Sequence, residues 1–127
     1  MLVFREKLFD GFLRGSGNVY TQTADADLLS AADRVTVGLV LSAVTGTDPS
    51  ITVQFENSPD GTRWMNQSAS PEVDGTTIPG SEFVVWGTNE GSRTIPIAGY
   101  VRLRIALGGT SPAAYLRLWV IGRSPAF

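Results

Sequence analysis

The sequence predicts an all-β fold, an antiparallel two-sheet β-sandwich, and three observations predict it. Apolar residues recur at every second position over several short stretches, the period of a strand with one buried and one wet face. Turn-forming residues separate these stretches at intervals of about eight to twelve residues. Composition that suits a helix is confined to residues 24–33, a turn or two in length. About eight strands in jelly-roll order are the favoured topology, with an immunoglobulin-like order second. The 127 residues make one domain, large enough to bury a core without metal or disulfide support.

Residues 1–16 mix Phe4, Leu8, Phe9, Phe12 and Leu13 with Arg5, Glu6, Lys7, Asp10 and Arg14, and they run into Gly15-Ser16-Gly17. So many large apolar side chains need cover. An arm packed on a neighbouring subunit would supply it, as would an edge strand, alone or folded into a pair about Asp10-Gly11. The expected organisation is therefore an N-terminal arm or edge strand over 1–16 and a single sandwich domain over 17–127.

Residues 18–23 alternate briefly, and residues 24–33 read as a loop and short strand crossing one end of the sheets. Residues 34–44 read as a strand: Val35, Val37, Leu39 and Leu41 face one side, and Val40 and Val44 make the other side partly apolar, which places it centrally. Thr45-Gly46-Thr47-Asp48-Pro49 reads as a loop leading into the strongest signal in the chain, residues 50–65. There Ile51, Val53 and Phe55 alternate with Thr52, Gln54 and Glu56, and Ser58-Pro59-Asp60-Gly61 supplies a turn: proline presets φ, aspartate bonds its own backbone, and glycine accepts positive φ. A second strand is expected to start near Trp64.

Turn-rich residues 65–75 follow, then a short extended piece at 76–78, a strand over 81–86 with an exit loop over 87–91, and an edge piece at 93–97, where Pro96 forbids a central position. The last two strands are expected over 100–107 and 114–121, joined by a loop at 108–112. Val101, Leu103 and Ile105 oppose Arg102 and Arg104, while Leu116, Leu118 and Val120 oppose Tyr115, Arg117 and Trp119.

The chemistry is defined by what is missing. The chain has no cysteine and no histidine, which removes disulfides, thiolate metal sites, the usual general base and the usual zinc ligand. Asp25, Asp27, Asp33 and Asp60 lack the glycine-assisted loop that calcium needs, so they read as turn-capping aspartates. Gly15-Ser16-Gly17 has no phosphate-loop lysine, and Asn66-Gln67-Ser68 reads as a coincidental sequon. No catalytic set, metal or cofactor is expected. The net charge of −2 and the scatter of basic residues along the sequence argue against nucleic acid, and no stretch reaches membrane-span length. Residues 1–7 carry charge where a signal peptide needs an apolar run, so synthesis in a cytoplasm is expected.

Nine of the ten basic residues are arginine, which suits planar pairing at protein interfaces, although a GC-rich genome would give the same bias. The candidate contact residues are Phe4, Phe9 and Phe12 in the first segment, and Arg102, Arg104, Tyr115, Arg117 and Trp119 on the outward side of the last two strands. If the latter group lies together it forms a protein contact surface, or else a second apolar layer covered by the N-terminal segment.

Residues 33–47, Asp-Arg-Val-Thr-Val-Gly-Leu-Val-Leu-Ser-Ala-Val-Thr-Gly-Thr, followed by Ile51 to Trp64 with its Ser-Pro-Asp-Gly-x-x-Trp hairpin, resemble small β-sandwich structural proteins of tailed bacteriophages. The resemblance covers residues 33–121 and includes the arginine-rich final strand pair. It implies a virion component made in the host cytoplasm: a head decoration or accessory protein, binding the major capsid protein or other virion proteins as a homo-oligomer, a trimer by preference. A carbohydrate-binding module using Trp64, Trp86 or Trp119 as a stacking platform is the alternative, and a tail or head-fibre adaptor is a further one.

Overall fold

The computed structural model describes residues 2–25, 34–64, 72–78, 83–89 and 99–123. Among them the chain is all-β and antiparallel, with seven strands: β1 (Leu2–Arg14), β2 (Gly17–Tyr20), β3 (Ala24–Asp25), β4 (Arg34–Ser58), β5 (Glu72–Thr77), β6 (Phe83–Asn89) and β7 (Tyr100–Arg123). They form one hydrogen-bonded sheet in the order β1-β7-β4-β5, with β2 and β3 also on β7 and β6 also on β4.

The two long strands are the spine. β4 and β7 pair along nearly their whole length, from Arg34 opposite Arg123 to Ser58 opposite Tyr100. The sequence reading placed loops at 45–49 and 108–112. Strand pairing instead carries on through both, because the chain bends there by bulging. The register slips between Ser42 and Thr45, Thr45 and Thr47, and Thr47 and Ser50. The same stretch holds Ala43, Gly46 and Asp48 on β4, and Gly109 and Ser111 on β7, at positive φ. Each extra residue tightens the local twist, so a pair of long strands turns a corner without ending.

That corner divides the spine into two ladders. In the first, residues 34–42 and 113–123 are flanked by β6 and β1, giving the order β1, β7, β4, β6. In the second, residues 50–58 and 100–108 are flanked by β5 on one side and by β2 and β3 on the other. The period-two pattern holds in both. Val37, Leu39, Leu41, Leu116, Leu118 and Val120 from the first ladder, and Ile51, Val53, Phe55, Val101, Leu103 and Ile105 from the second, are fully buried in one continuous core.

The N-terminal segment takes the edge-strand position. β1 runs straight through Asp10-Gly11 instead of folding about it, and it contributes buried Leu8 and half-buried Phe9 and Leu13 to the core. Two register shifts, at Leu2/Phe4 and Lys7/Phe9, break its line. Bulges and charges are how an edge strand avoids recruiting foreign strands. The hairpin also differs from expectation. Trp64 does not begin the returning strand; β5 does, with Val73 opposite Val53. The expected features at 26–33, 65–71, 79–82, 90–98 and 124–127, including Asp27, Asp33, the sequon and Pro96, lie outside the described residues.

Between β2 and β3 the ladder continues through a side chain. Thr21 N donates to the Leu103 carbonyl at 2.9 Å, and Leu103 N donates back to Thr21 Oγ1 at 2.9 Å. Thr21 is buried, so its hydroxyl answers an amide that water does not reach. Thr21→Val keeps the shape and removes the acceptor; the expected loss is about 1–3 kcal/mol in denaturant unfolding, with hydrogen exchange quickening first at Leu103.

Candidate interaction faces

The candidate residues of the last two strands do not form one group. Arg102 and Arg104 lie before the corner and Tyr115, Arg117 and Trp119 lie after it, on different ladders. Nor are they covered by the N-terminal segment, since β1 flanks β7 within the sheet. Two separate outward faces result, one from each ladder.

On the second ladder, Arg102 is the centre. Its Nε donates to Glu56 Oε1 at 2.9 Å, and its guanidinium lies 3.9 Å from the centroid of the Tyr20 ring and 4.1 Å from that of Trp64. The strands position every partner. Glu56 is directly opposite Arg102 on β4, Tyr20 is opposite Arg104 on β2, and Trp64 follows the turn that ends β4. Glu56 is 6% exposed, a carboxylate kept out of water by this ion pair and its stack.

The turn that delivers Trp64 is held by its own side chains. Ser58 Oγ donates to Asp60 Oδ1 at 3.0 Å and accepts from Gly61 N at 2.9 Å, while Asp60 Oδ1 accepts from Thr62 N at 2.8 Å and from Arg63 N at 2.9 Å. The backbone amides of Arg63 and Thr62, aided by Ser58, hold the Asp60 carboxyl below its usual range. Asp60 therefore caps a turn. Gly61, at φ 78°, lies against the Tyr100 ring.

On the first ladder, Asp10 is the centre. It accepts from Lys7 Nζ at 2.8 Å and from the Tyr115 hydroxyl, and it stands opposite Arg117 in the register. Lys7, then Tyr115, hold the Asp10 carboxyl below its usual range, and Asp10 in turn raises the Tyr115 phenol. Arg14 lies 5.2 Å over the exposed Phe12 ring, and Trp119 is half-buried opposite Lys7 and Gly38. Arg117 Nε is buried and has no hydrogen-bond partner among the described residues. Of the other candidates, Phe9 packs on the core and Phe4 stands opposite Gly122.

The two lowered carboxyls fix a sign. As pH falls, the unfolded chain takes up these protons before the folded one does, so stability from Asp10 and Asp60 is complete above the ordinary aspartate pKa and is lost as pH drops through the lowered values. The expected outcome is that Asp10→Asn and Asp60→Asn each flatten the fall in urea midpoint below about pH 4. An unchanged slope in both variants would contradict the assignment.

Sequence reasoning named Arg102, Arg104, Tyr115, Arg117 and Trp119 but missed Tyr20, Glu56, Lys7 and Asp10 as their partners. The alternation marked each as outward, but only the register of β1 and β2 on β7 tells which outward residues meet. Among the described residues, no three His, Cys, Asp or Glu side chains converge on a metal position, and no helix is long and apolar enough to cross a membrane. No protein-family model matches the chain, and no curated protein matches it significantly.

Proposed function

We propose that this chain is a non-enzymatic structural protein of a tailed-phage virion, a capsid decoration or head accessory protein that binds the assembled head as a homo-oligomer. We further propose that its sheet folds at the corner into two layers in jelly-roll order. The observation that carries the reading is the nesting of the strand pairs. Counting each half of β4 and β7 separately and taking β2 with β3, the segments pair first with last (β1 with 113–123), second with second-last (β2 with 100–108), and so inward to residues 50–58 with β5. Wrapping such a nest of hairpins puts alternate pairs in opposite layers, the arrangement common to viral capsid and lectin domains.

Other contacts support two layers. Leu8 of the first ladder and Ala24 of the second share one core. Gln22 Nε2, between β2 and β3, donates to the Lys7 carbonyl of β1 at 3.5 Å, although β1 has no backbone pairing with β2 or β3. The virion assignment itself rests on the resemblance of residues 33–121 and on outward faces built from Arg, Tyr, Trp and Phe, the side chains enriched where proteins bury surface against each other. The sugar-binding alternative needs an open tryptophan face, and Trp64 is half-buried with Arg102 on its ring.

Co-sedimentation tests this reading. The full chain is expected to pellet with empty heads of the phage whose genome carries it and to stay in solution with purified tails. Pelleting with tails alone would move it to the adaptor role. Retention on a polysaccharide column without binding to either particle would replace the virion reading with the sugar-binding one.

A further inference from the structure

In sequence the basic residues look scattered, and the β1–β7 register gathers several of them. Along the outward side of the first ladder, Arg5 stands across from Ile121, Lys7 from Trp119, Asp10 from Arg117, Phe12 from Tyr115 and Arg14 from Ala113. This is a stripe of four cations and one anion. At about 3.3 Å per strand residue it is roughly 25–30 Å long. Glu6 is exposed as well, but it stands across from buried Val120 and so belongs to the inner side of the edge. β4 adds no charge to the outward side.

The stripe does not neutralise itself. Asp10 gives one oxygen to Lys7 Nζ and the other to the Tyr115 hydroxyl. The side chains of Arg5, Arg14 and Arg117 have no carboxylate partner among the described residues, and Arg117 Nε is buried without an acceptor. Phe12 and Tyr115 are exposed between these arginines, and Trp119 is half-buried beside them. An uncommitted guanidinium is a planar fork that matches a carboxylate through two parallel hydrogen bonds. Surplus positive charge around exposed rings is therefore complementary to a surface whose carboxylates flank apolar or aromatic side chains.

We propose that the outward side of the first ladder binds an acidic segment of a partner protein, with its carboxylates on Arg5, Arg14 and Arg117 and its apolar or aromatic side chains against Phe12 and Tyr115. This rests on the reading that the outward faces make protein contacts, and it states which face is used and what chemistry the partner brings. A nucleic acid fits the stripe less well. Its evenly spaced phosphates would meet the Asp10 carboxylate midway, Arg14 already covers one face of the Phe12 ring, and the chain's net charge of −2 opposes the approach of a polyanion. The same stripe on a second copy would oppose like charges. The ionic share of the contact is exposed to solvent, so it falls as the screening length shrinks from about 10 Å at 0.1 M salt to about 3 Å at 1 M.

Fluorescence anisotropy with a labelled glutamate/tyrosine copolymer tests this on the full chain. The wild type is expected to bind at about 0.1 M salt and to bind at least about tenfold more weakly at 1 M. Arg5→Glu and Arg14→Glu change exposed side chains, and together they should weaken binding about tenfold or more while leaving the urea midpoint close to that of the wild type. Arg63→Glu makes the same kind of charge change on the exposed turn after β4, and it should alter binding by no more than about twofold. A wild type that does not bind the copolymer overturns the proposal, and so do equal losses from Arg5→Glu, Arg14→Glu and Arg63→Glu. Tighter binding of an oligothymidylate or of phosphatidylserine vesicles also overturns it, in favour of a nucleic acid or a membrane. Co-sedimentation separates this proposal from the virion reading. Heads that pellet the wild type and Arg5→Glu/Arg14→Glu alike remove the proposal and leave the virion reading standing, whereas copolymer binding through Arg5 and Arg14 without head binding does the reverse.

Discussion

Gly109→Val is expected to destabilise the fold by about 2–4 kcal/mol, combining left-handed backbone strain with overpacking. Gly109 sits at φ 102°, where a β-branched residue is strongly disfavoured, and a Cβ there would come within 2.6 Å of the Asp48 carbonyl oxygen and 2.7 Å of that of Thr47. Those oxygens are backbone, so they cannot swing aside as a side-chain end would. The facing strand has the same weakness: Gly46, at φ 115°, would bring a Cβ within 2.9 Å of Pro112 Cα and of the Ser111 carbonyl oxygen. Urea unfolding of Gly109→Val and of Gly15→Val separates corner packing from the general cost of a lost glycine. Gly15 also has positive φ but has open space around it, so it should lose only the strain component. Equal losses in both would show that the corner is not close-packed.

Arg102→Ala should cost about 3–5 kcal/mol, the range for removing one partner of a buried ion pair. The loss is large because Glu56 stays behind, shielded from water and without its guanidinium, and because the Tyr20 and Trp64 rings lose the cation between them. Arg102→Met/Glu56→Leu removes both charges and keeps the bulk, and it should recover most of that stability. If the double variant were as unstable as the single one, the cost would lie in the aromatic stack and not in the abandoned carboxylate.

The strands were legible where the period of two is unbroken. Val35 to Leu41, Ile51 to Phe55, Val101 to Ile105 and Leu116 to Val120 announce their inward faces, and those described to the side chain are the core. The corners were not legible, because Gly46, Asp48, Gly109 and Ser111 are turn residues by composition, and a bulge within a continuing strand uses the same residues as a loop. The hairpin failed for a related reason. Ser58-Pro59-Asp60-Gly61 does make a tight, self-bonded turn, but that turn hands Trp64 to Arg102 instead of starting the return strand.

The candidate faces were half legible. Alternation alone marks Arg102, Arg104, Tyr115, Arg117 and Trp119 as outward, yet the corner between Leu107 and Ala113 sends them to two ladders, and that corner is invisible in a pattern of apolar and polar letters. The gathering of basic side chains on the first ladder was hidden for the opposite reason. Arg5 and Lys7 are more than a hundred residues from Arg117 in the chain and are neighbours only through the β1–β7 register. Composition reports the sum of charges, whereas recognition depends on where the fold puts them.

Hydroxyl-radical footprinting of the aromatic side chains tests most directly the claim that these outward faces are contact surfaces. Phe12 and Tyr115 on one ladder, and Tyr20 and Tyr100 on the other, are exposed in the single chain and should be oxidised readily at high dilution. At high concentration these rings should become protected, while the buried Phe55 stays unmodified throughout. Oxidation of the four rings that is the same in both conditions, or protection confined to residues outside these faces, would contradict the account.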